Sequence, residues 1–217
     1  MRFKAVCFDL DGTLLDTLDD IAYCTNKILS ERGYPLYDVD RFRNFVGDGT
    51  KMLMKRVLPA EAQNEILIEE CRKDFENTYR SCWKRKTIPH QDIPELLDAL
   101  TKLELKLTVL SNKPQEFTVL TVDHILPDWT FDVILGQREG VPKKPDPAGM
   151  EEICEQLRIP SEDFLYLGDT ATDMKTAIAA GCYPVGVLWG FRTEKELRDN
   201  GAQVIIKNPL DLLNLID

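Results

Sequence analysis

Histidine is nearly absent from this chain of 217 residues: there are two, His90 and His124, and no Cys-x-x-Cys pair accompanies them. That excludes a zinc site of the usual His/Cys kind. Basic residues are also in short supply, 27 against 37 acidic, and the resulting charge of −10 argues against nucleic acid or an anionic membrane as a partner. No apolar run approaches the length of a membrane span, and Asp9 and Asp11 interrupt the N-terminal apolar run before a signal-peptide core could form. Internal repeats and low-complexity tracts are missing as well. These absences leave a cytoplasmic globular protein as the expectation, long enough for one large domain or for a domain with an insert. The six cysteines (Cys7, Cys24, Cys71, Cys82, Cys154 and Cys182) show no clustering and are read as reduced packing residues.

What is present concentrates at residues 8–17, which read FDLDGTLLDT. The preceding run 3–8 is apolar except for Lys4 and has the length and composition of a strand buried on both faces of a parallel sheet. Asp9 therefore stands at the strand's carboxyl end, the edge of an open α/β sheet where ligands bind. Gly12 permits a tight turn, and Thr13 supplies a hydroxyl beside the two aspartates. A carboxylate attacking a phosphate dianion meets a repulsion of about 4 kcal/mol per charge pair at 4 Å and an effective dielectric of 20. That is roughly a thousandfold in rate. Mg²⁺, a hard cation with oxygen ligands, would remove the penalty. The pattern assigns Asp9 as nucleophile and Asp11 as acid and base, although an isolated turn capped by aspartates would look the same.

Beyond this motif the apolar spacing turns helical. Leu18, Ile21, Ala22, Ile28 and Leu29 recur on one helix face, and residues from about 38 to 82 continue as helices only. Strand and helix patterns then alternate: helix 93–103, strand 105–110, helix 114–125, strand 133–135, helix 147–157, strand 164–167, helix 171–180 and strand 185–188. Two short elements close the chain. Alternation of this kind predicts right-handed crossovers and a mainly parallel sheet. The domain division expected is an α/β core of residues 1–15 and 83–217, interrupted by an all-helical insert of 16–82 that could act as a cap. The basic run 84–86 reads as a solvated hinge.

Three further groups follow strand ends. Ser111 and Asn112 could donate to phosphate oxygens near a helix start, or could simply cap that helix. Lys144, in KKPDP, could hold a transferring phosphoryl group. Asp169 and Asp173 stand in GDTATD, where an aspartate could ligate a metal, cap the next helix, or do both. Four carboxylates facing one lysine leave three negative charges if all are ionised, which calls for a divalent cation.

Taken together, these motifs resemble those of the haloacid dehalogenase superfamily in its phosphatase branch, and the pattern runs over nearly the whole chain. The resemblance picks Lys144 over Lys143, because in the family the lysine directly precedes Pro-x-Pro. It implies a Rossmann-like core with a helical cap, a covalent aspartyl-phosphate on Asp9, and water attack assisted by Asp11. It also implies Mg²⁺ held by the Asp9 carboxylate, the Asp11 main-chain carbonyl and Asp169, with Asp173 acting directly or through water. The chain looks most like the phosphoglycolate phosphatase group, helped by residues 46–49, VGDG. His90 and Asp92 depart from that group's PYPG-like segment and weaken any specific substrate name.

A dehalogenase of this fold lacks the second aspartate, and a phosphonate hydrolase has a small residue there, so Asp11 speaks against both. A sugar-phosphate mutase uses a cap histidine, and none lies between residues 16 and 82. A non-catalytic interaction protein would be expected to have lost one of the motif residues. The expectation is a monomer or homodimer acting on a small phosphorylated metabolite. Its selectivity would reside in Gly47, Gly49 and Lys51, where two glycines allow close backbone approach and a helix start offers free N–H donors, unless the glycines merely join two cap helices and Lys51 is a solvated charge.

Overall fold

A computed structural model describes residues 3–216. The chain divides into two compact units, Met1–Asp16 with Pro89–Asp217, and Thr17–Ile88.

The first unit is built on a six-stranded sheet, to which the two-residue strands β2 (Leu15–Asp16) and β3 (Ile88–Pro89) do not belong. Strand β1 (Ala5–Phe8) lies between β4 (Lys106–Pro114) and β6 (Phe164–Gly168), and the order is β5-β4-β1-β6-β7-β8 with β5 Val133–Gln137, β7 Tyr183–Val187 and β8 Val204–Ile206. Every pairing is parallel. The chain builds the sheet outward from β1 first on one side and then on the other. The carboxyl end of β1 is therefore at the switch point where such sheets open a crevice.

Alternation along β1 produces the layers. Val6 and Phe8 point into a cluster with Ile93, Leu96, Leu97 and Leu100 of α4 (Ile93–Lys102), Val122 of α5 (Gln115–Ile125) and Leu212 of the C-terminal 3₁₀ segment Pro209–Leu215. Ala5 and Cys7 point the other way, to Met150 and Ile153 of α6 (Ala148–Leu157) and Ala177 of α7 (Ala171–Ala180). A parallel sheet covered on both faces is the α/β architecture that the alternating pattern predicts.

Two details of this unit bear on the expectation from sequence. β4 does not stop at Leu110 but runs to Pro114, with a register irregularity between Leu110 and Pro114. Asp92, at the position where the resembling group carries glycine, has φ 63°. An aspartate tolerates that left-handed backbone better than most residues, and its carboxylate accepts a hydrogen bond from Asn208 Nδ2 at 2.5 Å.

The second unit is helical: α1 (Leu18–Glu31), a 3₁₀ segment Val39–Asn44, α2 (Thr50–Val57) and α3 (Glu65–Cys82). Asp20 is buried and accepts from the main-chain N–H groups of Lys86 and Thr87 and from Thr87 Oγ1, at 2.8–3.1 Å. The basic run is thus tied to α1 and is not merely solvated: Lys86 Nζ lies 2.7 Å from Asp19, and Arg85 stacks 3.5 Å above the Tyr23 ring. The reading of all six cysteines as reduced is corrected here. Packing of α1 against α3 brings Cys24 and Cys82, 58 residues apart, together as a disulfide, leaving Cys7, Cys71, Cys154 and Cys182 free. Spacing along the chain carries no trace of that pairing.

Candidate active site

Asp9 follows β1 directly, and its N–H donates to Leu167 O at 2.9 Å, so the β1–β6 ladder continues into the site. β6 ends at Gly168, which delivers Asp169 beside Asp9. One oxygen from each of Asp9, Asp169 and Asp173 lies within 4.8 Å of the others, and all three residues are buried. Lys144 is buried with them. Its ammonium donates to Asp9 Oδ1 at 2.8 Å, Asp173 Oδ1 at 2.7 Å and Leu110 O at 2.8 Å. Those three acceptors match its three protons. Lys143, next door, is exposed.

The remaining contacts hold each acid in place. Asp169 accepts from the Phe191 N–H at 2.7 Å and from Thr13 Oγ1 at 3.3 Å. Asp173 Oδ2 accepts from the N–H and hydroxyl of Thr170, which caps α7, so the capping belongs to Thr170 and Asp173 and not to Asp169. Close backbone makes room for these acids. Gly12 has φ +89°, and a Cβ there would stand 2.7 Å from Asp169 Oδ2; at Gly190 it would stand 2.3 Å from Asp169 Cβ.

Ser111 and Asn112 are buried within the strand continuation, and no side chain caps α5, whose N-cap position is Pro114. Ser111 Oγ accepts from the Lys113 N–H at 3.2 Å, and Asn112 Nδ2 donates to the Lys144 carbonyl at 3.2 Å. Asn112 thereby fastens the Lys144 segment to the sheet. Gly47, Gly49 and Lys51 lie in the helical unit. Both glycines have positive φ, Gly49 precedes α2, and the Lys51 ammonium is 2.6 Å from Glu65 in an exposed pair.

Burial, and then the neighbouring carboxylates, push the Asp9 carboxyl up to about 7 against the attraction of Lys144. Burial with the charges of Asp173 and Asp9 likewise raises Asp169 well above the usual carboxylate range. For Lys144, burial pulls downward but the Asp173 and Asp9 carboxylates outweigh it, and the ammonium is held well above its ordinary value. The acids are crowded even with this lysine among them.

A second lysine, to which the sequence reading assigned nothing, changes the charge balance. Lys113 is buried, and its Nζ lies 2.8 and 3.2 Å from the two carboxylate oxygens of Asp11. With all four acids ionised, four carboxylates against two ammonium groups leave two negative charges, which one divalent cation would balance. The earlier count of three overlooked it. Its one visible signal was its place as third residue of a Ser-Asn-Lys run whose first two members had already drawn notice. The main-chain donor of Phe191 left none, whereas Thr170 and Asp173 stand at the T-x-x-D spacing of a capping box. Hard carboxylate oxygens converging on one point, with two acids held above their usual range, fit Mg²⁺. Asp11's carboxylate is not among the converging three.

The haloacid dehalogenase-like hydrolase family matches residues 6–187 of the chain. A phosphoglycolate phosphatase from Aquifex aeolicus (strain VF5) is 33% identical over 215 residues, covering 99% of this chain and 97% of its own. An N-acetylmuramic acid 6-phosphate phosphatase from Pseudomonas aeruginosa is 30% identical over 218 residues, covering 100% and 96%. Among solved structures, a candidate phosphoglycolate phosphatase from Lactobacillus delbrueckii subsp. bulgaricus superposes with a TM-score of 0.93 at 29% identity, covering 100% and 99% of the two chains.

Proposed function

Since the chain belongs to the haloacid dehalogenase-like hydrolase family, we propose that it is a Mg²⁺-dependent phosphatase of small phosphate monoesters, working through an aspartyl-phosphate on Asp9. The observation that carries this reading is Asp9 itself, a buried carboxylate at the end of the central strand, bonded to Lys144 and sharing one point with Asp169 and Asp173.

In the first half-reaction an Asp9 carboxylate oxygen attacks phosphorus. The bond from phosphorus to the ester oxygen breaks, and that oxygen takes a proton from the Asp11 carboxyl and leaves as the alcohol. In the second, a water oxygen attacks phosphorus and gives its proton to the Asp11 carboxylate. The phosphorus bond to Asp9 then breaks, which frees inorganic phosphate and restores the carboxylate. Asp9 and Asp169 would hold Mg²⁺ through carboxylate oxygens, with the Asp11 carbonyl. Mg²⁺ when bound supplies the positive charge that offsets repulsion between Asp9 and the phosphate dianion. Asp173, its oxygens already engaged by Lys144 and Thr170, suits holding this shell through its neighbours. Lys144 holds Asp9 in line and supplies charge to the phosphoryl group. Thr13, Ser111 and Asn112 fix the walls around that group.

Both named relatives act on phosphate esters of acids, so a compact ester carrying a carboxylate heads the substrate class. Gly47, Gly49 and Lys51 are assigned to selectivity because two glycines permit close backbone approach and the start of α2 offers N–H donors to an anionic group. A phosphate-release screen over 2-phosphoglycolate, N-acetylmuramic acid 6-phosphate and other small esters, with Mg²⁺ and with EDTA, tests the reading. Mg²⁺-dependent release supports it; no release from any ester would return the chain to a non-catalytic role.

A further inference from the structure

One buried charge near the site has no task in that reaction. Lys113 sits one residue before the end of β4, and its side chain is only 5% exposed. A lysine is almost never removed from water to this degree unless it is paired. Asp11 is such a partner, and the ammonium reaches both of its carboxylate oxygens.

Asp11 needs such an anchor. It opens the turn at Gly12, and its side chain is 18% exposed, more open than Asp9 at 9%. Asp9, two residues earlier, belongs to a group of three carboxylates that would repel it toward solvent. A single contact would leave the Asp11 carboxylate free to turn about it. Contacts to both oxygens fix where it points. β4 lies beside β1 in the sheet, so the anchor comes from a different segment of chain than the acid it holds.

We propose that Lys113 is a positioning residue for Asp11, holding its carboxylate where it exchanges protons with the leaving oxygen and the attacking water. The proposal rests on the phosphatase reading above and adds to it a residue that acts through Asp11.

The two half-reactions depend on Asp11 differently. An aryl oxygen departs with little help from a proton donor, whereas an alkyl oxygen needs one, and water attack on the aspartyl-phosphate needs the base whatever the substrate was. Loss of Lys113 should therefore slow both half-reactions with an alkyl ester but chiefly the second with an aryl phosphate. Phosphorylated Asp9 should then accumulate.

The test is Lys113→Met, which keeps the length and removes the charge, assayed with 2-phosphoglycolate and with p-nitrophenyl phosphate at saturating Mg²⁺. On 2-phosphoglycolate kcat should fall by roughly 10²-fold with KM little changed. On p-nitrophenyl phosphate a burst of nitrophenol should precede the slow steady state, with a phosphorylated protein visible by intact mass. In an Asp11→Asn background the same substitution should cost almost nothing more, because the two residues act as one unit. If Lys113→Met is unfolded at the assay temperature, Lys113→Arg, which keeps the charge but moves the donors, carries the same readouts. A folded variant with wild-type kcat, a loss that multiplies with Asp11→Asn, or a raised KM without a burst would each overturn the role of Lys113 while leaving the phosphatase reading intact. A wild-type protein that releases no phosphate overturns both.

Discussion

Each unit carries a short lysine–carboxylate contact, and the two contacts have nearly the same length. Lys51 lies 2.6 Å from Glu65 in the helical unit, and Lys144 lies 2.7 Å from Asp173 and 2.8 Å from Asp9 in the α/β unit. What separates them is water. The side chains of Lys51 and Glu65 are 54% and 75% exposed, while those of Lys144, Asp9 and Asp173 are 3%, 9% and 1%. Water screens the first pair, so its geometry says little about stability or chemistry. Around the second, each charge has lost its hydration, and every ionisation depends on the neighbours. Distance alone does not rank an ion pair.

The sharpest break in this contrast is Asp9→Asn. Turnover should drop to background, measured as phosphate release after deamidation has been excluded, while the fold remains. Without metal the variant should be more stable than the wild type, because one charge leaves a crowded site. The sign follows from the acid: its value of about 7 in the folded protein, against the ordinary 3.8, means the native state holds that proton more tightly than the unfolded chain. Stability from this source is present below about pH 4 and is lost as pH rises to about 7. The gap between variant and wild type, from denaturant titrations, should therefore widen across that interval, and saturating Mg²⁺ should close or invert it. A flat gap would mean Asp9 is not crowded.

Lys144→Met attacks the same cluster from the other side. It should lower kcat by roughly 10²–10³-fold. It should also destabilise the metal-free protein by about 3 kcal/mol or more, since buried carboxylates are left uncompensated. Opposite stability changes for Asp9→Asn and Lys144→Met are the signature of a buried cluster; changes of the same sign would contradict it.

The helical unit offers a covalent counterpart. Reducing the Cys24–Cys82 disulfide, or replacing Cys24 by Ser, should lower stability by about 2–4 kcal/mol, as for a cross-link closing a long loop. Calorimetry with and without reductant checks this, and a melting temperature indifferent to reductant would contradict it.

The smallest effect is expected at Lys51. Lys51→Ala should leave the melting temperature unchanged, because its partner is in water. It should lower kcat/KM for the preferred ester modestly, with much less change on an aryl phosphate. Equal losses on both substrates would remove Lys51 from selectivity.

The sequence alone was sufficient for a mainly parallel sheet covered by helices, though not for its strand order. Apolar runs of strand length separated by helical patterns fit a covered parallel sheet, and Asp9 and Asp169 stand just past strand ends that those runs make visible, whereas Ser111 and Asn112 lie inside the longer β4. Such signals are local, carried by residues adjacent in the chain. Lys113 bonding Asp11 across 102 positions, the Phe191 N–H reaching Asp169, and Cys24 meeting Cys82 are not local. Each depends on which strands and helices become neighbours, and on β4 running on past Leu110 to bury Lys113. Whether a charge is in water or out of it was likewise decided by the folded chain: Lys143 and Lys144 are adjacent and chemically identical, and only packing exposes one and buries the other against three acceptors.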